Sequence, residues 1–220
     1  YQSEFYGLPM VSMTDVIAGM PSVVVDNATG IRDIVSHLIE THSLHRQAFV
    51  RGPENSQDAQ IRYNTWSETL NAYDIDVDPN LVFSGDYVSL KEPARLVAEW
   101  KNGKGFNAVV AASDLMALEV ISTLRQANIR VPEDVAVVGF DDNPQNRYNN
   151  PPLTSVFQPV EEQVDAAFER LSELWEGKEV AQVHSIDCRL RVRSSCGCKK
   201  NKWSVDPELH ASLINSMNNA

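Results

Sequence analysis

A chain of 220 residues, 43% of them hydrophobic, has enough apolar side chains for one large or two small packed α/β domains. No apolar run reaches the roughly 18 residues that a membrane-spanning helix needs, so such a span is not expected. A net charge of −11 and a pI near 4.9 argue against this stretch gripping a nucleic-acid backbone directly.

No signal-peptide pattern is present and residue 1 is Tyr, so the sequence reads as an excised or processed piece. Its three cysteines, Cys188, Cys196 and Cys198, crowd towards one end. An odd, clustered count is no disulfide framework and fits a reducing cytoplasm. The spacing Cys-x7-Cys-x-Cys has no histidine nearby at finger-like separation, so these read as free thiols and no metal site is assigned.

In chain order, residues 8–13 (LPMVSM) and 22–26 (SVVVD) are short strand candidates. Ile31, Ile34, Val35, Leu38 and Ile39 then fall on one helical face, and that helix is expected to stop near Thr41-His42. His37, His42 and His45 gather around its end and read as caps or solvated side chains. Gln47 to Val50 is a strand. A helix through Tyr73 follows, with Ile61, Trp66 and Leu70 as its buried candidates. Leu81 to Ser84 is the next strand, and Leu90 to Lys101 the next helix.

The most informative stretch is 106–142. The run Ala108 to Ala112 is too short for a helix and reads as a strand buried on both faces. Ser113 and Asp114 can accept from the free N–H groups of a helix start. Leu115 to Ala127 is that helix, and Val135 to Val138 is a second buried strand closed by Gly139-Phe140-Asp141-Asp142. Such a unit has parallel strands and a right-handed crossover. Its polar groups fall just beyond the strands' carboxyl ends, where open α/β sheets bind ligands.

Leu153 to Gln158 is a further extended run. Val160, Val164, Ala167, Phe168, Leu171, Leu174 and Trp175 make a helical stripe, and His184 to Val192 fits one strand. Ser194 to Lys202 reads as a linker. Asp206-Pro207-Glu208 signals a tail helix carrying Leu209, Leu213 and Met217, beside which Trp203 can dock. The alternation as a whole predicts a parallel-sheet α/β fold.

The segments VVAASDLMALEVISTLRQANIRVPEDVAVVGFDD and PPLTSVFQPVEE resemble the effector-binding domain of the LacI/GalR regulators over roughly residues 8–195. The resemblance implies two Rossmann-like lobes of the type I periplasmic-binding-protein fold, with a small molecule bound between them. It implies crossovers near Asp26–Gly30, Ser155–Pro159 and Gln182–Ser185. The N-terminal lobe is then incomplete, comprising 1–28 plus 160–181. The C-terminal lobe comprises 29–159 plus 182–195, followed by a linker and tail helix over 196–220.

The same resemblance picks out candidate ligand contacts. Arg62 suits bidentate recognition of hydroxyls or a carboxylate. Asp141 would accept from a ligand hydroxyl, with Asp142 the weaker candidate. Ser113 stands where many relatives have Asn, and it serves equally as a helix cap. Tyr87 would pack on a sugar face. Gln158 would bridge lobes or touch ligand, and Asp15, beside Thr14, would contribute from the N-terminal lobe.

No Gly-x-Gly-x-x-Gly, P-loop or nucleophile elbow is present, so neither a cofactor nor an enzyme is expected. The expected function is a non-catalytic sensor of a sugar-like small molecule, cytoplasmic and homodimeric, without direct nucleic-acid or membrane contact. The Arg-x-Ser-Cys-Gly-Cys ending resembles sensor modules that precede a C-terminal output such as a GGDEF diguanylate cyclase or histidine kinase. The alternative is the effector domain of a DNA-binding LacI-type repressor, and an enzyme on a doubly wound fold is the reading from another class.

Overall fold

The computed structural model describes residues 7–199, with the backbone alone at 103 and 104. The tail helix and Trp203 lie outside the described residues.

Among the described residues two sheets form, parallel except for one edge strand. The smaller contains β1 (Ser12–Met13), β2 (Ser22–Val25) and β8 (Val183–Ile186), with β2 in the middle. The larger has the order β4-β3-β5-β6-β7-β9. It uses β3 (Gln47–Arg51), β4 (Val82–Ser84), β5 (Ala108–Ala111), β6 (Ala136–Asp141), β7 (Thr154–Phe157) and β9 (Arg189–Arg191), the last antiparallel. Among the described residues five α-helices join them: α1 (Asn27–His42), α2 (Gln57–Ala72), α3 (Pro93–Glu99), α4 (Asp114–Gln126) and α5 (Val160–Trp175).

Local chemistry sets where three helices begin. Asp26 Oδ1 accepts from the Thr29 N–H, Ser56 Oγ from Ala59 and Ser113 Oγ from Met116, each satisfying a first-turn donor. The capped α1 starts four residues ahead of its apolar stripe, which explains why periodicity places the start late.

Strand order fixes the site. From β3 the chain steps outward to β4 through α2, then returns past β3 to β5 through α3 and on to β6 through α4. Right-handed crossovers in opposite directions put α2 on one face and α3 and α4 on the other. The reversal between β3 and β5 opens a crevice at their carboxyl ends. Between the layers, Phe49, Phe83, Phe106, Phe140, Trp66 and the Val109–Val110 and Val137–Val138 pairs form one core.

Several expectations shift. β1 is only two residues long, not 8–13. α3 starts at Pro93, because Leu90 is held in an isolated bridge to Gly85, and it continues as a π-helical turn over Trp100–Lys104. Ile61 is 41% exposed, whereas Trp66 and Leu70 are buried. The run 184–192 is not one strand: β8 pairs with β2 in the small sheet and β9 with β7 in the large one. The lobe crossing therefore falls at Asp187-Cys188, later than Gln182–Ser185. The stripe on α5 is half open, with Phe168 68% and Trp175 73% exposed, because the described small lobe offers only three short strands to cover it.

Ser194–Cys196 is not a loose linker. Ser195 Oγ donates to the Val137 carbonyl and accepts from the Thr154 N–H, and the Ser195 carbonyl accepts from Val137 N–H. Each bond supplies a partner to a β6 or β7 end that would otherwise be buried without one. Composition alone registers the polarity of this segment and misses that bonding.

Candidate functional site

Arg62 is the centre of the crevice. It points from α2 into the reversal between β3 and β5 and is only 3% exposed. Its Nε donates to Asn27 Oδ1 at 2.7 Å and its Nη1 to the Ala112 carbonyl at 2.7 Å. The guanidinium lies 3.7 Å above the Phe140 ring. These contacts from α1, β5's end and β6 fix its orientation, which a long flexible side chain does not hold unaided.

Two carboxylates flank it at ion-pair distance. Asp58 Oδ2 is 3.7 Å from Nη2, and Asp141 Oδ1 is 3.8 Å from Nη1. Asn27 Nδ2 donates to Asp58 Oδ1 at 2.8 Å, so Asn27 bridges acid and base. Gln158 Nε2, on the second lobe crossing, donates to Asp141 Oδ1. Burial pushes both carboxyls above the ordinary range, and Arg62 is the strongest influence pulling them back. Asp141 adopts φ +121°, a left-handed value that turns its carboxylate away from the strand line and towards the crevice.

Tyr87 closes one side. Its ring lies 5.7 Å from the Arg62 guanidinium, its hydroxyl shares a 2.8 Å hydrogen bond with Ser56, and burial raises its pKa. From the small lobe, Val16 exchanges two hydrogen bonds with Gln57: its N–H donates to Oε1 at 3.1 Å and its carbonyl accepts from Nε2 at 3.2 Å. The mouth thus presents an aromatic face, two carboxylates and one guanidinium edge. In chemical terms, carboxylates are partners for hydroxyl donors and a guanidinium for hydroxyl or carboxylate acceptors.

A family profile described as "Periplasmic binding protein-like domain" matches residues 35–196. The chain belongs to this family, as a LacI/GalR-type effector-binding domain. Over 138 residues it is 39% identical to the HTH-type transcriptional regulator CelR of Thermobifida fusca, covering 62% of this chain and 40% of that one. Over 196 residues it is 29% identical to the HTH-type transcriptional repressor CytR of Escherichia coli K12, covering 87% and 57%. A solved transcriptional regulator CelR–cellobiose complex superposes with a TM-score of 0.74 at 33% identity, covering 86% of this chain and 59% of that one. The chain therefore spans about half the length of these relatives. They are transcriptional regulators rather than enzymes.

Within this LacI/GalR-type domain the expected contacts divide. Arg62, Asp141, Tyr87 and Gln158 meet at the crevice. The Ser113 hydroxyl caps α4 and donates to the Tyr87 carbonyl. Asp142 is drawn off to Arg193 at 2.5 Å, its side chain 6% exposed. Asp15 is exposed at the edge of the small lobe, where its charge acts on Asp58. Thr14 has φ +81° and donates its N–H to the Val23 carbonyl.

Three residues escape a reading by motif. Asn27 and Asp58 complete the Arg62 cluster, although nothing in their local pattern sets them apart from helix-start residues. Asp114, expected as a cap acceptor at the carboxyl end of β5, is fully buried. It accepts from Ser155 Oγ at 2.6 Å, the Asn143 N–H at 2.8 Å and Asn146 Nδ2 at 2.7 Å. Burial nevertheless pushes its carboxyl up to about 7.

Proposed function

We propose that this chain is the effector-binding part of a LacI-type DNA-binding transcriptional regulator, and that its effector is a sugar-like, polyhydroxylated small molecule. The observation that carries the ligand class is the Arg62–Asp58–Asp141 cluster facing Tyr87 at the crevice between the lobes. The relative solved with cellobiose has the same fold, which supports a sugar over an apolar effector. A ligand that touches both lobes shifts the population towards a closed arrangement only by its preference for that form. A homodimer transmits such a shift to DNA-binding segments elsewhere in the full protein. The net charge of −11 is in keeping with this stretch leaving the DNA contact to them. A cytoplasmic location belongs to the same reading.

The reading with a C-terminal signalling output rests on the Arg193-to-Cys198 ending, the extension beyond it and the acidic charge, whereas the relatives named above are transcriptional regulators, which favours the DNA-binding reading. The test is calorimetric titration of the full-length protein with mono- and disaccharides, nucleosides and amino acids. Binding of a hydroxyl-rich ligand, lost in Arg62→Lys and Asp141→Asn while both variants stay folded, is the expected result. A ligand whose affinity ignores both substitutions removes the crevice from consideration.

A further inference from the structure

At the opposite, amino-terminal edge of the large sheet, the end of α1 meets the turn that follows β9. His37 and His42 come from the helix, and Cys196 and Cys198 from the turn. Residues 156 to 161 positions apart thus converge. One ligating atom from each of the four lies within 4.8 Å of all the others.

The separations within this group match a coordination polyhedron. His37 Nε2 is 3.6 Å from the sulfur of Cys196 and 3.6 Å from that of Cys198, and His42 Nε2 is 3.3 Å from the Cys198 sulfur. A tetrahedral zinc with bonds of about 2.3 Å to sulfur and 2.05 Å to nitrogen has S···N edges of about 3.6 Å. The two imidazoles stand edge to face, 5.1 Å between centroids at 82°, so both Nε2 atoms converge while the rings do not stack.

The surroundings suit a metal as well. His37 Nδ1 is 3.3 Å from Thr41 Oγ1, a partner that fixes which ring nitrogen is left to ligate. Thr154 Oγ1 donates to the Cys196 sulfur at 3.2 Å, as a hydroxyl does to a thiolate. In the protonated state the same sulfur contacts the Arg193 carbonyl at 3.3 Å. Cys196 is 1% exposed, while Cys198 and both histidines are half-buried, which leaves an entry path. Gly197 has φ +104°, and a Cβ there would sit 3.4 Å from His42 Nδ1. That contact is ordinary, so it is the backbone conformation of the Cys-Gly-Cys turn that calls for glycine.

We propose that His37, His42, Cys196 and Cys198 form a structural zinc site that staples the segment leaving β9 to the end of α1. Two thiolates and two neutral imidazoles balance the charge of Zn²⁺, and the mixed sulfur–nitrogen set favours zinc over hard cations such as Mg²⁺ or Ca²⁺. The staple sets the point from which residues beyond Cys198 depart. It lies across the sheet from the Arg62 crevice and does not depend on the effector reading.

The experiment uses the full chain without a histidine tag, purified under reducing conditions. Elemental mass spectrometry is expected to find about one zinc per chain. After chelation, Co²⁺ titration should give thiolate-to-metal charge transfer and tetrahedral ligand-field bands. Cys198→Ser and His42→Gln, both at half-buried positions, should lose the metal and these bands with unchanged far-UV circular dichroism. Cys188→Ser, away from the cluster, should keep them. A reduced wild type that takes up neither metal overturns the site, as does uptake that both ligand variants retain. A Cys196–Cys198 disulfide in protein isolated without reductant, together with no metal uptake after reduction, overturns it in favour of a redox pair.

Discussion

Replacing Arg62 with Met tests the crevice as a physical unit. The methionine keeps an apolar stem against Phe140 but removes the guanidinium. Asn27 Oδ1 and the Ala112 carbonyl then lose donors at 2.7 Å, and Asp58 and Asp141 lose their cation. An orphaned buried acceptor costs about 1–3 kcal/mol, and breaking a buried charge pair about 3–5 kcal/mol. One group supplies all four contacts, so these figures overlap, and the expected loss at pH 7.5 is about 3–5 kcal/mol in total. The loss also depends on pH. Both carboxyls already sit above their ordinary value because of burial, and deleting Arg62 raises them further. A carboxyl raised on folding makes the fold bind more protons than the unfolded chain, so stability falls as pH climbs through that range. The deficit of Arg62→Met should therefore shrink between pH 7.5 and pH 5, by about 1.4 kcal/mol for each pH unit of added shift. Urea unfolding followed by fluorescence, with the buried Trp66 as one reporter, measures it at both pH values. A loss below about 1 kcal/mol, or the same loss at both pH values, refutes the coupled cluster.

Asp114, held up to about 7 by burial, makes wild-type stability decline between about pH 4 and pH 7. Asp114→Asn can still accept from Asn143 and Asn146 and should flatten that decline in parallel urea titrations. Ser113→Ala should cost about 1 kcal/mol through the lost cap of α4, with effector affinity by calorimetry unchanged. Gly139→Ala should cost about 1–3 kcal/mol in thermal unfolding, because its Cβ would fall 2.3 Å from Asp114 Oδ1.

The sequence by itself determined the parallel α/β architecture. Short, doubly buried runs such as Ala108–Ala111 and Ala136–Val138, separated by one-face stripes such as Ile31–Ile39, admit few other folds. Arg62 and Asp141 stood out through the motifs of the family resemblance, and the fold brings them within 3.8 Å of each other. Tertiary structure decided what those motifs could not. Ser113 was open to capping, binding or both, and the carbonyl of Tyr87, brought alongside by the β4–α3 loop, gives its hydroxyl an acceptor within the protein that no local pattern shows. The strand expected at 184–192 splits between two sheets because its pairing partners, β2 and β7, lie far away in sequence. Asn27 meets Arg62 across 35 residues, and the two histidines meet the two cysteines across more than 150. Periodicity records how one segment divides between core and water. Which side chains of distant segments touch depends on crossover direction and sheet order, and these exist only once the chain has folded.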